Sequence, residues 1–386
     1  MYPLGKQFEV DYTRASSDDS AIIKGNNFRI SVITERIVRL EYSPSGKFID
    51  KPTQLVSRRN LGLANFSVDQ NGSYINVSTK YFKLRYLKDA PFIGTKVDPA
   101  KNLKITLISR ERDRNKDWYY KHPEARNMLG NMISVDLNAE RDYCKGLYSL
   151  DGFASIDDSQ SKLIMGDGTL VDPPADHVDI YVFMYDRDFK QALFDYFKLT
   201  GSPMLIPRYA FGNWWSRNKT YDDKETKNLI RHFEKKKIPL SVVLFDHDWH
   251  IRNIGEYKAL KNGYTFNKEL FKDPKKMIDR FHSKGIRVGL CIDPEGGFYP
   301  HEENYKYAKD FFKLNDPVVI SFDPLNPKVL DVMFKIFLHP LESLGIDFFW
   351  NDYKGEKDIN KLWITNHYMY LCMIEILNKL YLIILN

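Results

Sequence analysis

Ile346-Asp347-Phe348-Phe349-Trp350-Asn351-Asp352 reads as a buried strand that ends in a carboxylate. Alternation along a strand puts Phe348, Trp350 and Asp352 on one face. A carboxylate at the C-terminal tip of a buried strand, beside an aromatic ring, suits a nucleophile at the mouth of a β/α barrel.

The same grammar runs backwards from this stretch. Leu240-Ser241-Val242-Val243-Leu244-Phe245-Asp246 and Ile286 to Asp293 are nearly continuous apolar runs, as expected of strands covered on both faces. Asp222 with Glu225 makes a capping-box start, and Leu229, Ile230 and Phe233 come after it at helical spacing. Asp273-Pro274 and Asn326-Pro327 start two more helices, and Gly285 and Gly345 end them. An earlier strand around Tyr209 to Trp215 completes four parallel β/α units. By contrast, the region up to about residue 200 reads as antiparallel β. Phe28 to Ile33 and Tyr81 to Tyr86 alternate between turn signals such as Ser45-Gly46 and Asn71-Gly72.

The expected organisation is therefore an N-terminal antiparallel β-sandwich over 1–205 and an incomplete (β/α)8 TIM barrel over 206–371. From Pro207 onward there are 180 residues, against roughly 200–250 or more for a full barrel. A four- or five-stranded open sheet satisfies the count equally well, and the placement of the polar residues decides for the barrel.

Each apolar strand ends in a carboxylate: Asp246 and then Asp248, Asp293, and Asp352. In parallel β/α folds these ends share one rim, so the side chains converge. Trp249, Glu295 and Trp350 stand beside them. Carboxylates with aromatics point to glycoside chemistry, in which one carboxylate attacks the anomeric carbon and a second protonates the leaving oxygen. His247 and His250 raise a metal reading, but on an extended strand His247 alternates away from the two aspartates. No metal and no cofactor are expected.

Composition narrows the rest. The 386 residues are 43% hydrophobic and 14% aromatic, enough for two cores. The net charge of +6 is dispersed, and the run Lys235-Lys236-Lys237 sits where a helix ends, so nucleic acid is not expected as a partner. The three cysteines, Cys144, Cys291 and Cys372, form no disulfide framework or zinc spacing. The start MYPLGKQFEVDYTR lacks signal-peptide character, and no run of about 18 apolar residues exists, so a cytoplasmic location without a membrane span is expected. The glycosylation triplets at Asn65, Asn71 and Asn76 are then chance matches. Oligomeric state is not readable.

Several motifs resemble one family in the right order. Phe211-Gly212-Asn213-Trp214-Trp215-Ser216-Arg217 and Ile238 to His250 look like the opening of the catalytic barrel of glycoside hydrolase family 31, which includes α-glucosidases and α-xylosidases. Leu193 to Pro207 resembles the approach to that barrel. Asp151-Gly152-Phe153 with Asp157-Asp158-Ser159 resembles the end of its sandwich. Phe349-Trp350-Asn351-Asp352 falls at the nucleophile motif, and Trp363 with Asn366-His367-Tyr368 resembles the family's segment just after the nucleophile.

The resemblance implies a retaining α-glycosidase, most simply an α-glucosidase acting on oligosaccharides. Asp352 would be the nucleophile and Asp246 would bind sugar hydroxyls. Asp248, Trp249, Asp293 and Trp350 would complete the subsite. Where Cys291 stands many members carry tryptophan, although one branch has a smaller residue followed by a glycine-containing loop. The family's acid/base aspartate lies on a later barrel segment. Glu356 and Asp358, on the loop past Asp352, are not expected to replace it.

The tail 372–386 is rich in Ile and Leu and matches nothing in the family. A frameshift or premature end of the reading frame is the expectation, with an apolar helix covering a sheet edge as the alternative. The chain as given is accordingly expected to be inactive or nearly so. A non-catalytic carbohydrate-binding protein built on the sandwich is the alternative function. A doubly wound hydrolase finds no nucleophile-elbow serine or phosphate loop.

Overall fold

The computed structural model describes residues 12–94, 98–109, 116–131, 143–201, 206–353 and 359–375. The chain divides into two compact units, Glu9–Pro203 and a second comprising Met204–Asn386 with Met1–Phe8.

In the first unit two five-stranded antiparallel sheets face each other. One runs in the order Ile22–Lys24, Phe28–Thr34, Ile37–Tyr42, Val178–Met184 and Phe153–Asp157. The other runs Ser67–Asp69, Tyr74–Ser78, Phe82–Leu87, Leu103–Leu107 and Asp117–Tyr119. Alternation supplies the layer between them: Phe28, Ile30, Val32, Val38 and Leu40 from one sheet pack with Val77, Phe82, Leu84 and Ile105 from the other. The opposite face of the first sheet buries charge that is paired across neighbouring strands. Arg39 makes two bonds to Asp179, at 2.8 and 2.6 Å, and Arg29 grips Glu41 at 2.5 and 2.9 Å.

The second unit holds a four-stranded parallel sheet in sequential order. We label its strands β1 (Trp214–Arg217), β2 (Val242–Phe245), β3 (Arg287–Ile292) and β4 (Phe348–Asn351). Helices Asp223–Lys236 and Pro274–His282 form the first two crossovers, and a helical run from Pro327 to Leu344 precedes β4. The caps are those the sequence predicts. Asp222 and Glu225 form a complete capping box, and Asp273 accepts from Lys276 N. Gly345 ends the helical run before β4 at φ 112°, a left-handed conformation that favours glycine.

Two expectations need correction. The chain from Tyr209 to Trp215 is not one strand: Arg208–Phe211 is a 3-10 turn after Pro207, and β1 begins at Trp214. At Gly212 an added Cβ would lie 2.0 Å from Ser241 Oγ, so a close approach to the segment leading into β2 occupies the place of regular pairing. The helix between Asn326 and Gly345 is also interrupted. Met333–Leu338 is a π-turn just before Pro340. Proline has no N–H to donate back and its ring crowds the preceding turn, so the ladder widens there.

Helix Ile359–Glu375 runs four residues beyond Leu371. The rest of the tail expected at 372–386 lies outside the described residues, as do Glu356 and Asp358. Among the described residues no helix is long and apolar enough to cross a membrane.

Candidate active site

Register sets the site. β3 and β4 pair in parallel with Gly289 opposite Phe348 and Cys291 opposite Trp350, and Asp352 N donates to Ile292 O at 2.8 Å. Phe348 and Trp350 share a face, since both meet the Trp214 ring, at 5.3 and 6.4 Å. Asp352 comes next on that face. Its Oδ1 accepts from the Trp350 indole N–H at 2.9 Å, and its Oδ2 accepts from the Cys291 thiol at 3.2 Å.

At the tip of β2 the chain leaves extended geometry. Asp246 caps a 3-10 turn over His247–Trp249 and accepts from His247 N at 2.7 Å. That turn corrects the expectation that His247 points away. Its Nε2 stands 3.5 Å from Asp246 Oδ1 and 3.6 Å from Asp352 Oδ2, between the two carboxylates. The physical reason is that Asp246, His247 and Asp248 cannot continue a strand buried on both faces, so the backbone turns to keep them at the rim.

The other expected site residues separate. Trp249 is 1% exposed, and its indole N–H donates to Cys291 O at 2.8 Å. It packs edge-on against Phe266. A ring so buried cannot stack on a sugar; it ties the β2 turn to β3. Asp248 turns to Arg252 and Thr220, each at 2.5 Å. Burial alone would raise its carboxyl, but the hydrogen bonds from Arg252 and Thr220 hold it below the usual carboxylate range. Asp293 caps the turn Pro294–Gly296 and accepts from Glu295 N at 3.3 Å. Burial, reinforced by the charge of Asp352, pushes its carboxyl up. Burial and Asp352 likewise push the Cys291 thiol well up, so it is a protonated donor here.

The side chains of Asp246 and Asp352 are 25% and 33% exposed, a rim open enough to meet a ligand. A cavity of about 950 Å³ opens near the same turn, lined among others by Thr220, Asp248, His250, Arg252 and His301. Neither Asp246 nor Asp352 lines it, so the carboxylates face a different opening.

Asp347, at the start of β4, belongs to the opposite end of the sheet. It accepts from His282, Arg287 and Val288 N at 2.7, 3.0 and 2.8 Å, and so fastens β4 to β3 and to the helix before β3.

His247 and Cys291 are not among the expected site residues, although both stand beside them. Cys291 shares a face with Asp293 by simple alternation and is legible on that ground. His247 is hidden by the 3-10 turn.

A parallel β/α sheet whose strand tips gather carboxylates beside indole and imidazole groups is the setting of a candidate enzyme active site. Residues 203–371 match the model of the glycosyl hydrolases family 31 TIM-barrel domain. Residues 203–371 therefore carry a glycoside hydrolase family 31 barrel segment. It is 28% identical over 175 residues to an α-xylosidase of Saccharolobus solfataricus, covering 45% of this chain and 22% of that protein. It is 30% identical over 178 residues to an α-glucosidase of the same organism, covering 42% and 24%. Among solved structures it is similar in fold to a family 31 dextranase of Flavobacterium johnsoniae complexed with glucose. That likeness has a TM-score of 0.59 at 16% identity, over 91% of this chain and 50% of that one. A family 31 α-xylosidase from a soil metagenome, complexed with xylose, gives 0.56 at 14% identity, over 92% and 63%. The chain thus spans about half the length of the dextranase, and its matches to the two Saccharolobus proteins cover about a quarter of each.

Proposed function

We propose that this chain carries the nucleophile half of a retaining α-glycosidase site, acting on α-linked gluco-oligosaccharides through a covalent glycosyl-enzyme. In this reading residues 206–371 are about the first four units of the catalytic (β/α)8 barrel, behind a sandwich over 1–205. The observation that carries it is the meeting of Asp246 and Asp352 on His247 Nε2, at 3.5 and 3.6 Å, at strand tips of one sheet. Asp352 Oδ1, steadied by the Trp350 N–H, is the attacking atom. Asp246 and Asp293 receive sugar hydroxyls. Both are bound to backbone N–H groups at their own strand tips, which suits holding a ring in place.

A retaining acid must stand across the ring, about 5–5.5 Å from the nucleophile. Asp246 and Asp293 lie instead on strands next to or near β4. We therefore propose low turnover for the 386-residue chain on natural glycosides, because general acid help is worth about 10²–10⁴-fold.

Calorimetric titration with maltose and isomaltose tests the reading, on the parent chain and on Asp246→Ala and Asp352→Ala. Binding that weakens in both variants supports it, and binding that ignores both moves the sugar site elsewhere. Parallel assays with aryl α-glucoside and aryl α-xyloside decide the sugar. Turnover of maltose at an ordinary glycosidase rate would sink the claim of an incomplete acid/base pair.

A further inference from the structure

At the strand tips a thiol and an imidazole that glycoside cleavage does not require stand beside the carboxylates Asp246 and Asp352. Cys291 Sγ lies 3.2 Å from Asp352 Oδ2 and 4.0 Å from His247 Nε2. His247 Nε2 lies 3.5 Å from Asp246 Oδ1 and 3.6 Å from Asp352 Oδ2. The ligand atoms of Asp246, His247 and Cys291 all fall within 4.8 Å of one another.

Bond lengths of about 2.3 Å to sulfur and about 2.0–2.2 Å to nitrogen or oxygen, at tetrahedral angles, put neighbouring zinc ligands about 3.3–3.6 Å apart. Three of the separations seen here, 3.2, 3.5 and 3.6 Å, fall near that range, and Cys291 Sγ to His247 Nε2 is longer at 4.0 Å. Cys291 stands within β3, and Asp246, His247 and Asp352 stand just past the tips of its parallel neighbours β2 and β4. Sulfur with imidazole selects zinc or cadmium over magnesium or calcium, which prefer all-oxygen sites.

We propose that this cluster binds one thiophilic divalent cation, Zn²⁺ or Cd²⁺, through Cys291 Sγ, His247 Nε2 and a carboxylate oxygen of Asp352 or Asp246. Binding breaks the Cys291 S–H bond, forms the sulfur–metal bond and releases one proton to the buffer; no electrons are exchanged. The ion takes the lone pairs of Asp352 that a sugar would meet, so metal and sugar exclude each other.

Among the described residues the buried His247 Nδ1 has no hydrogen-bond partner, so none of them locks the ring from behind. Such an outer partner is worth about 10–100-fold in affinity. The site is therefore reversible and inhibitory, unlike a structural zinc site. Metal binding itself does not rest on the glycosidase reading, because the donors bind metal whatever the reaction is; its inhibitory consequence does rest on that reading.

Cobalt(II) titrated into the full chain under reducing, oxygen-free conditions is the direct probe. One equivalent is expected to give a thiolate-to-cobalt charge-transfer band and intense tetrahedral visible bands. The charge-transfer band should vanish in Cys291→Ser and persist in Cys144→Ser and Cys372→Ser. His247→Ala should weaken zinc binding by at least tenfold in calorimetry. A charge-transfer band that persists in Cys291→Ser, or the lack of any such band in the parent chain, overturns the proposal.

Alkylation mapping on the unmodified sequence covers the case of a variant that does not fold. Equimolar Zn²⁺ should protect Cys291 from iodoacetamide and leave Cys144 unprotected. Equal labelling of Cys291 with and without zinc also overturns it.

Discussion

Gly289→Ala should loosen the sheet and disturb the site through one ring. A Cβ at this position would lie 2.3, 2.5 and 2.8 Å from three atoms of the Phe348 ring. Phe348 is fully buried, with Trp214 at 5.3 Å and Tyr209 stacked at 6.4 Å. To restore even a 3.4 Å contact the ring must retreat by about 1.1 Å, and Trp214 stands in its way. Overpacking of this kind costs about 1–3 kcal/mol. Replacing glycine in a compatible extended conformation returns about 0.4–1 kcal/mol through the unfolded chain. The net expectation is a loss of about 1–2 kcal/mol.

Urea unfolding followed by tryptophan fluorescence measures this loss directly, because Trp214 and Trp350 report on the affected face. Phe348→Leu in the same chain should recover part of it, with a coupling energy of about 0.5–3 kcal/mol. If Gly289→Ala is as stable as the parent, or if the two changes simply add, the packing argument that sets the β3–β4 register is wrong.

Substitutions at three more residues have outcomes that this structure predicts. Glu302 is buried, its Oε1 3.6 Å from His301 Nε2 and without a hydrogen bond among the described residues, and burial pushes its carboxyl up to about 7. Its folded value exceeds its unfolded one, so its contribution is full below the ordinary glutamate range and fades as pH rises through about 7. Glu302→Gln should therefore gain stability over the parent at pH 8 relative to pH 5, read as a difference in urea midpoints. An equal difference at both pH values contradicts this. Trp249→Phe should cost about 0.5–1.5 kcal/mol for the lost hydrogen bond to Cys291 O, and Trp249→Ala about 3–5 kcal/mol; near-normal stability of the alanine variant in thermal unfolding would return Trp249 to the set of sugar platforms. Asp222→Ala should cost about 1 kcal/mol by removing the capping box of helix Asp223–Lys236, measurable in the same unfolding experiment.

Local chemistry makes part of this fold legible in the sequence. The caps at Asp222, Asp273 and Asn326, the glycine stop at Gly345 and the apolar strands β2, β3 and β4 come from periodicity and from where backbone groups need partners. The face shared by Phe348, Trp350 and Asp352 comes from alternation. Contacts between strands set the rest, and these leave no local sign. The expected strand from Tyr209 gives way to a 3-10 turn where Gly212 meets Ser241, a contact no local rule supplies. Extended alternation places His247 on the wrong face because it carries past Phe245 into a turn that Asp246 caps. Trp249 reads as a platform in the sequence, yet its indole is spent on the Cys291 carbonyl. The π-turn at Met333–Leu338 has a local sign in Pro340, although the start and stop signals at Asn326 and Gly345 mask it.

The account stands most directly on Asp352 as nucleophile. The measurement that tests it is mass-spectrometric peptide mapping after incubation with a fluorinated α-glucosyl fluoride, whose leaving group departs without acid help. The expected result is one fluoroglycosyl adduct, on Asp352, absent in Asp352→Asn and suppressed by maltose. An adduct on any other residue, or none at saturating reagent, would contradict the assignment.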